Sequence, residues 1–433
     1  MFRSGLSPNT RRTHGGLLLA VLALFASVGA GGYVHGAVPH RRCDVGDEAL
    51  VGLERVLADL EGLGRVAPEE LLAALLGAGP RGWRELSDTL RLQPDSLKVS
   101  LRNQIEGALA GIPRAVLTNL EQEDVSSRRQ ELELQIAMSV LEDFGRADDL
   151  PTAIGLATPA DPARSIDAGL STIFTSSLSG ILTRNPTAFE ELARLKRGLD
   201  HRLVPLVLRA AGTVPSEGAV RFLGDQLGVD VVLDPIVIGQ LGRVLSMVDA
   251  KLGERARTYV LMGLRSSDIA VRREACLTLG RAEELEAVGD LIDLLSDPDR
   301  GVADNAYWAL ELVTRKSMDP DPERWSSWFA AEQLWWRAEA GALYVDLRSD
   351  DRGRVSRAIR ELASHRLHRH EVALDLLSVL DSDDHSLIVQ ACGALAALRS
   401  RVARVRLNDL LEHPSAEIAE HAQRALEALH ELP

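Results

Sequence analysis

One pattern near the C-terminus restricts the chain more than anything else in it. An apolar residue is followed four positions on by alanine or isoleucine, and then by a leucine three or four further. The pattern occurs at Val271/Ala275/Leu279, Val302/Ala306/Leu310, Val355/Ile359/Leu362, Leu387/Ala391/Leu395 and Ile418/Ala422/Leu426. Successive copies are 31, 53, 32 and 31 residues apart, so the second step holds one repeat and an insert of 22 residues. A leucine lies seven residues before the first apolar position in four copies (Leu264, Leu295, Leu380, Leu411) and eight before it in the third (Leu347), closing a second helical pattern. Short polar stretches, RSSDIA, SDPDRG, RSDDRG, DSDDHS and EHPSAE, separate the two patterns. Asp and Ser suit these places because their side chains accept the orphan N–H groups of a helix start, and a carboxylate also complements its dipole. The spacing predicts a helical hairpin of about 31 residues. Such a hairpin cannot bury its apolar stripe alone. Each leucine gains about 1.5–3 kcal/mol only when a neighbour covers it, so the copies must stack.

The pattern resembles the short bacterial HEAT repeats, the variety also called PBS-lyase HEAT-like. The stretch DIAVRREACLTLGRAEELEAVGDLIDLLSDPDRGVADNAYWALEL carries the likeness. It extends over residues 252–433 and implies an all-α fold, an α-solenoid of antiparallel helical hairpins. It implies little about function. Extended arrays expose long concave faces and form poor closed pockets, which favours large partners.

Upstream, weaker helical spacing continues through RSIDAGLSTIFTSSLSGIL, PTAFEELARLKRGL, EGAVRFLGDQLG and DPIVIGQLGRVLSMV. Residues 151–251 read as degenerate repeats, and 44–150 as a helical cap or further divergent repeats. Val231, Val232 and Leu233 have strand propensity but no partner run, so a helix edge or turn is expected. At the N-terminus, Arg3, Arg11 and Arg12 precede an apolar run from Leu17 to Ala30 and then small residues. That is the order of a secretory signal. Residues 1–43 therefore read as a signal peptide, or as a membrane anchor over 15–38 if uncleaved, and the array as extracytoplasmic: periplasmic, secreted or held at the membrane.

Charge narrows the partners. With a net charge of −14, the chain is a poor binder of nucleic acid or anionic lipid, whose affinity rests on a basic field. Three cysteines make no disulfide scaffold, and no Cys-x-x-Cys is present. Cys276 and Cys392 fall on apolar helix positions, as buried thiols do; Cys43 is left as a free thiol or an intermolecular bridge. No phosphate loop, His-Glu-x-x-His, Gly-x-Ser-x-Gly or calcium loop occurs. The di-iron hydroxylases of this fold repeat His-Glu pairs at matching helix positions, whereas His370-Glu371 and His430-Glu431 fall at different points of the repeat. His365, His368 and His370 in SHRLHRHE have zinc-like spacing, but Arg366 and Arg369 oppose a cation and the stretch reads as a solvated basic turn. Stacking sets the acidic turns along one edge of negative charge, which capping mostly explains. No catalytic, cofactor-binding or metal-binding residue, cofactor or small-molecule ligand is expected.

One feature exceeds what stacking needs. The insert, at about 314–345, contains DPDPERWSSWFAAEQLWW, and with Trp308 the region gathers five of the six tryptophans. Asp321-Pro322 is a good helix start, and Trp325, Trp328, Phe329, Trp335 and Trp336 then follow at one-stripe spacing. Either the stripe folds back over the groove beside Trp308, or part of it stays exposed and anchors a protein partner. These five are the candidate protein-binding residues. The function expected is a non-catalytic extracytoplasmic interaction scaffold for a protein of unknown identity. An enzyme or lyase accessory with a pocket on the concave face, or a membrane-held spacer, are the alternatives.

Overall fold

The computed structural model describes residues 66–93, 97, 99–120, 127–159, 165–248 and 250–430. The signal or anchor segment, Cys43, the helical pattern up to residue 65 and Glu431 lie outside the described residues. The described residues all fall within one unit, Ala49–Pro433, and contain no strand. α1 (Pro68–Leu92), α2 (Val99–Leu120) and α3 (Ser127–Phe144) come first. The chain then runs in hairpins: α4 (Leu150–Ala157) with α5 (Ala168–Arg184), α6 (Ala188–Leu195) with α7 (Val204–Ala211), and α8 (Glu217–Gln226) with α9 (Asp234–Met247). α10 (Glu254–Gly263) pairs with α11 (Ile269–Arg281), and α12 (Val288–Leu294) with α13 (Arg300–Thr314). After α14 (Pro322–Trp335), three further hairpins follow: α15 (Gly341–Asp346) with α16 (Arg352–Ser364), α17 (Arg369–Leu376) with α18 (His385–Leu398), and α19 (Arg404–Asp409) with α20 (Ala416–His430). The fold is an all-α solenoid. Val231 and Val232 lie in the turn before α9 and are exposed.

The repeat pattern maps directly onto burial. All fifteen residues of the five triplets, from Val271 to Leu426, are buried. The preceding leucines are less uniform: Leu264, Leu347 and Leu380 are buried, Leu295 is only partly so, and in the last unit Leu410 is buried while Leu411 is 39% exposed. The last first-helix ends in a 3₁₀ turn, Leu410–Glu412, and this tighter winding shifts which leucine points inward.

The turn aspartates cap as their positions suggest. Asp268, Asp299, Asp351 and Asp384 each accept a backbone N–H at the start of α11, α13, α16 and α18. The edge they form is not a bare acidic strip, however. Arginines of the preceding unit reach across: Arg265 to Asp290 at 2.6 Å, Arg272 to Asp297 at 2.9 Å, Arg273 to Asp299 at 2.9 Å and Arg352 to Asp384 at 3.2 Å. The guanidinium is long enough to span neighbouring hairpins, so part of the charge that capping attracts, at Asp299 and Asp384, is neutralised by the stack.

Second helices pack side by side from α3 through α13 by alternate members, and again from α16 through α20. Two hydroxyls register this layer in the same way: Ser177 donates to the Met138 carbonyl at 2.6 Å and Thr278 to the Ile238 carbonyl at 2.8 Å. Between α13 and α16 the row is interrupted, and the core divides with it. One cluster of buried residues runs from Leu71 to Trp325 and takes in Leu367, and a second runs from Leu343 to Leu429.

Candidate interaction site at the aromatic insert

The insert begins as its sequence dictates. Asp321 accepts from the N–H groups of Glu323 and Arg324, and Pro322 occupies the first turn, where its missing donor costs nothing. Trp325 is fully buried in the first core, its Nε1 donating to the Asp319 carbonyl at 3.0 Å. Trp328 packs edge-on to it, with ring centroids 5.7 Å apart, and is half-buried like Phe329 against the same core. Ten residues later, about 15 Å along a helix, Trp335 and Trp336 pack against the second core instead. A π-helical turn, Trp336–Ala340, continues the chain into α15. The stripe is therefore a bridge between two cores.

Trp308 belongs elsewhere. The expectation that the stripe covers the groove beside it is not met, because α14 packs on α12, whereas Trp308 on α13 is 37% exposed beneath the Arg281 guanidinium. Leu334, at the end of α14, is 68% exposed beside the Trp335–Trp336 pair.

The histidines of SHRLHRHE meet the tryptophans. Trp335 stacks on His365 (centroids 3.3 Å apart, planes 11°) and Trp336 on His368 (3.6 Å, 9°), while Tyr344 meets Trp336 edge-on. Glu332, the one acid on the stripe, is paired with His365 Nδ1, which explains how a carboxylate is tolerated there. The stretch is thus not a solvated turn. Leu367 is buried in the first core and Arg369 is only 1% exposed. No group of three potential metal ligands occurs among the described residues.

Arg369 is the centre of a polar junction. Its guanidinium donates to the Val313 carbonyl at 2.6 Å, at the end of α13, and to the Glu283 carboxylate. Glu283 also accepts from Arg315 at 2.6 Å and from His370 Nε2 at 2.8 Å, and His370 Nδ1 meets the buried Ser400 hydroxyl at 2.9 Å. Glu283 and Arg315 have φ of 53°, and Arg399, next to Ser400, 51°; among the described residues they are the non-glycine positions in the left-handed region. Such positions cost of order 1 kcal/mol and persist where surroundings over-determine them. Burial alone would raise the Glu283 carboxyl, but the His370 hydrogen bond and the Arg369 and Arg315 charges bring it down to about 2. Four hairpins thereby share one carboxylate network across the interrupted row. Nothing in the repeat periodicity signals it; the one available sign was three histidines and two arginines beside a Trp-Trp insert.

His368 makes this junction acid-sensitive. Burial lowers its pKa below the ordinary 6.5, with Glu332 opposing and His365 adding to the shift. Both ring nitrogens are buried without a hydrogen-bond partner among the described residues, and Glu371 lies 3.9 Å from Nδ1, beyond bonding range. A histidine kept neutral by the fold supplies stability above its unfolded pKa and loses it as pH falls through the folded one. The near-UV circular dichroism of the tryptophans is expected to weaken reversibly as pH is lowered from about 6.5, and His368→Phe to flatten that response. An unchanged titration in the variant contradicts the assignment.

Cys276 and Cys392 are buried thiols, pushed up by desolvation to about 12 and about 11, and so are inert packing groups.

Among the solved structures similar to this chain are the following three. An engineered protein is 18% identical, with 88% of this chain and 100% of that one covered and a TM-score of 0.31. Human deoxyhypusine hydroxylase in complex with glycerol is 19% identical, with coverage of 56% and 97% and a TM-score of 0.24. Kap121p is 16% identical with a TM-score of 0.33; it covers 96% of this chain, which spans 48% of Kap121p. No curated protein matches in sequence. The family model described as HEAT repeats matches residues 259–322, across α11 and α13, and the chain thus carries HEAT repeats.

Proposed function

We propose that the protein is a non-catalytic scaffold that binds another protein outside the cytoplasm, with the insert as a docking surface. A HEAT-repeat solenoid fits an interaction scaffold. The observation that carries the finer reading is Leu334, a large apolar side chain 68% exposed on a helix that regular stacking does not require, beside tryptophans held rigid by imidazole stacks. Aromatic groups already immobilised lose little entropy on binding. Trp335 and Trp336 are the members of the stripe available to a partner at their edges; Trp325 acts by holding α14 in place. The junction's titratable groups support the non-catalytic reading, since Glu283, Arg369 and His370 are paired with one another as struts.

The extracytoplasmic location rests on Arg3, Arg11, Arg12 and the apolar run from Leu17 to Ala30. The alternative of a pocket enzyme has one structural support, a groove of about 520 Å³ lined by Ser356, Arg360 and Gln390, although Ser356 and Gln390 bond each other at 2.6 Å.

Affinity capture from the native cell envelope tests the proposal. A stoichiometric protein partner is expected with the wild-type chain and depleted with Leu334→Asp at unchanged melting temperature. Absence of any such partner, or recovery of the chain with an intact Met1 from a cytosolic fraction, rejects the respective half of the reading.

A further inference from the structure

A second surface, on the helices that precede the insert, has a construction the repeat does not require. Along α9, α11 and α13, side chains of one helix pack close against glycines of the one before. At Gly239 a Cβ would sit 2.7 Å from the Glu274 carboxylate; at Gly242 it would meet Thr278 first and then Arg281 Nη1 at 3.2 Å; at Gly280 it would meet Ala309 first and then the Trp308 ring at 3.1 Å. Arg281 in turn lies 5.6 Å over the Trp308 ring. The glycines let the helices approach closely, and that approach brings Arg281 and Trp308 to the surface of the neighbouring helix.

The charges on this strip are unspent. Nearly every arginine described above is paired with an aspartate or glutamate, yet Arg281 and the exposed Arg243 make no side-chain hydrogen bond or ion pair among the described residues. They are close enough to repel: burial lowers the Arg281 pKa, Glu274 opposes that, and Arg243 lowers it further. Glu274 is itself half-buried and raised by burial, with Arg281 pulling it down, and no bond joins the two. Two guanidiniums against one carboxylate leave local positive charge in a chain of net charge −14. The half-buried Arg281 guanidinium, which faces the Trp308 ring but no hydrogen-bond acceptor among the described residues, favours a ligand that supplies one.

We infer that the strip of Arg243, Arg281 and Trp308 docks an acidic segment of a partner protein. Carboxylate side chains of that segment accept from the two guanidiniums, and an apolar side chain lies on the exposed part of the indole. Glu274 repels acids placed beyond Arg281, which limits where carboxylates are accepted, and the chain's overall negative charge disfavours acidic peptides everywhere else. This deepens the scaffold reading and rests on it.

The test is fluorescence anisotropy with a fluorescein-labelled peptide of Asp and Glu carrying one leucine, beside its Asn and Gln counterpart. The acidic peptide is expected to bind the full chain and the amide peptide to bind about tenfold more weakly or worse. Arg243→Gln combined with Arg281→Gln is expected to weaken the acidic peptide by about tenfold or more at unchanged melting temperature, and Trp308→Ala to weaken both peptides. Arg221→Gln, an exposed arginine on α8, leaves binding as it was and serves as the control for general electrostatics. Equal binding of the two peptides, no binding of either, or wild-type affinity in the double variant overturns the inference. So does self-association of the wild-type chain that the double variant abolishes, since the strip's occupant is then a second copy. If the envelope partner still co-purifies with the double variant, the scaffold reading stands and the strip is not its contact. If no partner co-purifies with either chain, the scaffold reading itself fails.

Discussion

Arg369→Met is expected to cost about 3–5 kcal/mol and to separate the melting of the two cores. The side chain is 1% exposed, and its loss takes a buried donor from the Val313 carbonyl and leaves the Glu283 carboxylate to Arg315 and His370 alone. Because α13 and α16 are not a closely packed pair, little apolar contact compensates at this point. A single calorimetric transition should become two, with amide exchange rising first over residues 343–429. Exposed Arg366→Met serves as the control and should stay within about 0.5 kcal/mol of wild type. Acid acts on the same network. Glu283 titrates at about 2 in the fold against an ordinary 4.5, so its contribution is complete above about 4.5 and disappears as pH falls towards 2. A single unperturbed transition in Arg369→Met would show that the cores are coupled by other contacts.

Trp325→Ala is the second large effect. Removing a fully buried indole leaves a cavity and takes one of two donors from the Asp319 carbonyl, at a cost of about 3–5 kcal/mol. Half-buried Trp335→Ala removes one face of a stack and is expected to cost about 0.5–1.5 kcal/mol beyond the area lost. Differential scanning calorimetry on the two variants gives the comparison. Similar melting points in both would mean that α14 is a surface helix along its whole length. A large fall for Trp325→Ala together with a small one for Trp335→Ala places its N-terminal half in the core and frees its C-terminal half for a partner.

The triplets from Val271 to Leu426 were legible because burial in a stacked hairpin depends on position along the helix alone. Each unit meets the same neighbour, so one period describes them all. Aspartate capping was legible for a similar reason: its partners lie two or three residues away. The leucines preceding the triplets were less so. Leu295 and Leu411 sit where short first helices end in tight turns, and a change of winding there rotates a side chain out of the core without altering the sequence period.

Helix, hairpin, stacking and the start of the insert were determined by the sequence alone, since all are local or repeat with a fixed step. What only the tertiary structure decided is how non-repeating residues meet. Glu283 reaches Arg369 across 86 residues, Ser400 meets His370 across 30, and Trp336 finds His368 only after a π-helical turn. The split of one tryptophan stripe between two cores, and the close packing of Glu274, Arg281 and Trp308 against glycines, likewise follow from where the row of helices is interrupted and how closely it packs. Such contacts have no period. They arise from side-chain length and from the geometry of a neighbour that the local chain does not encode.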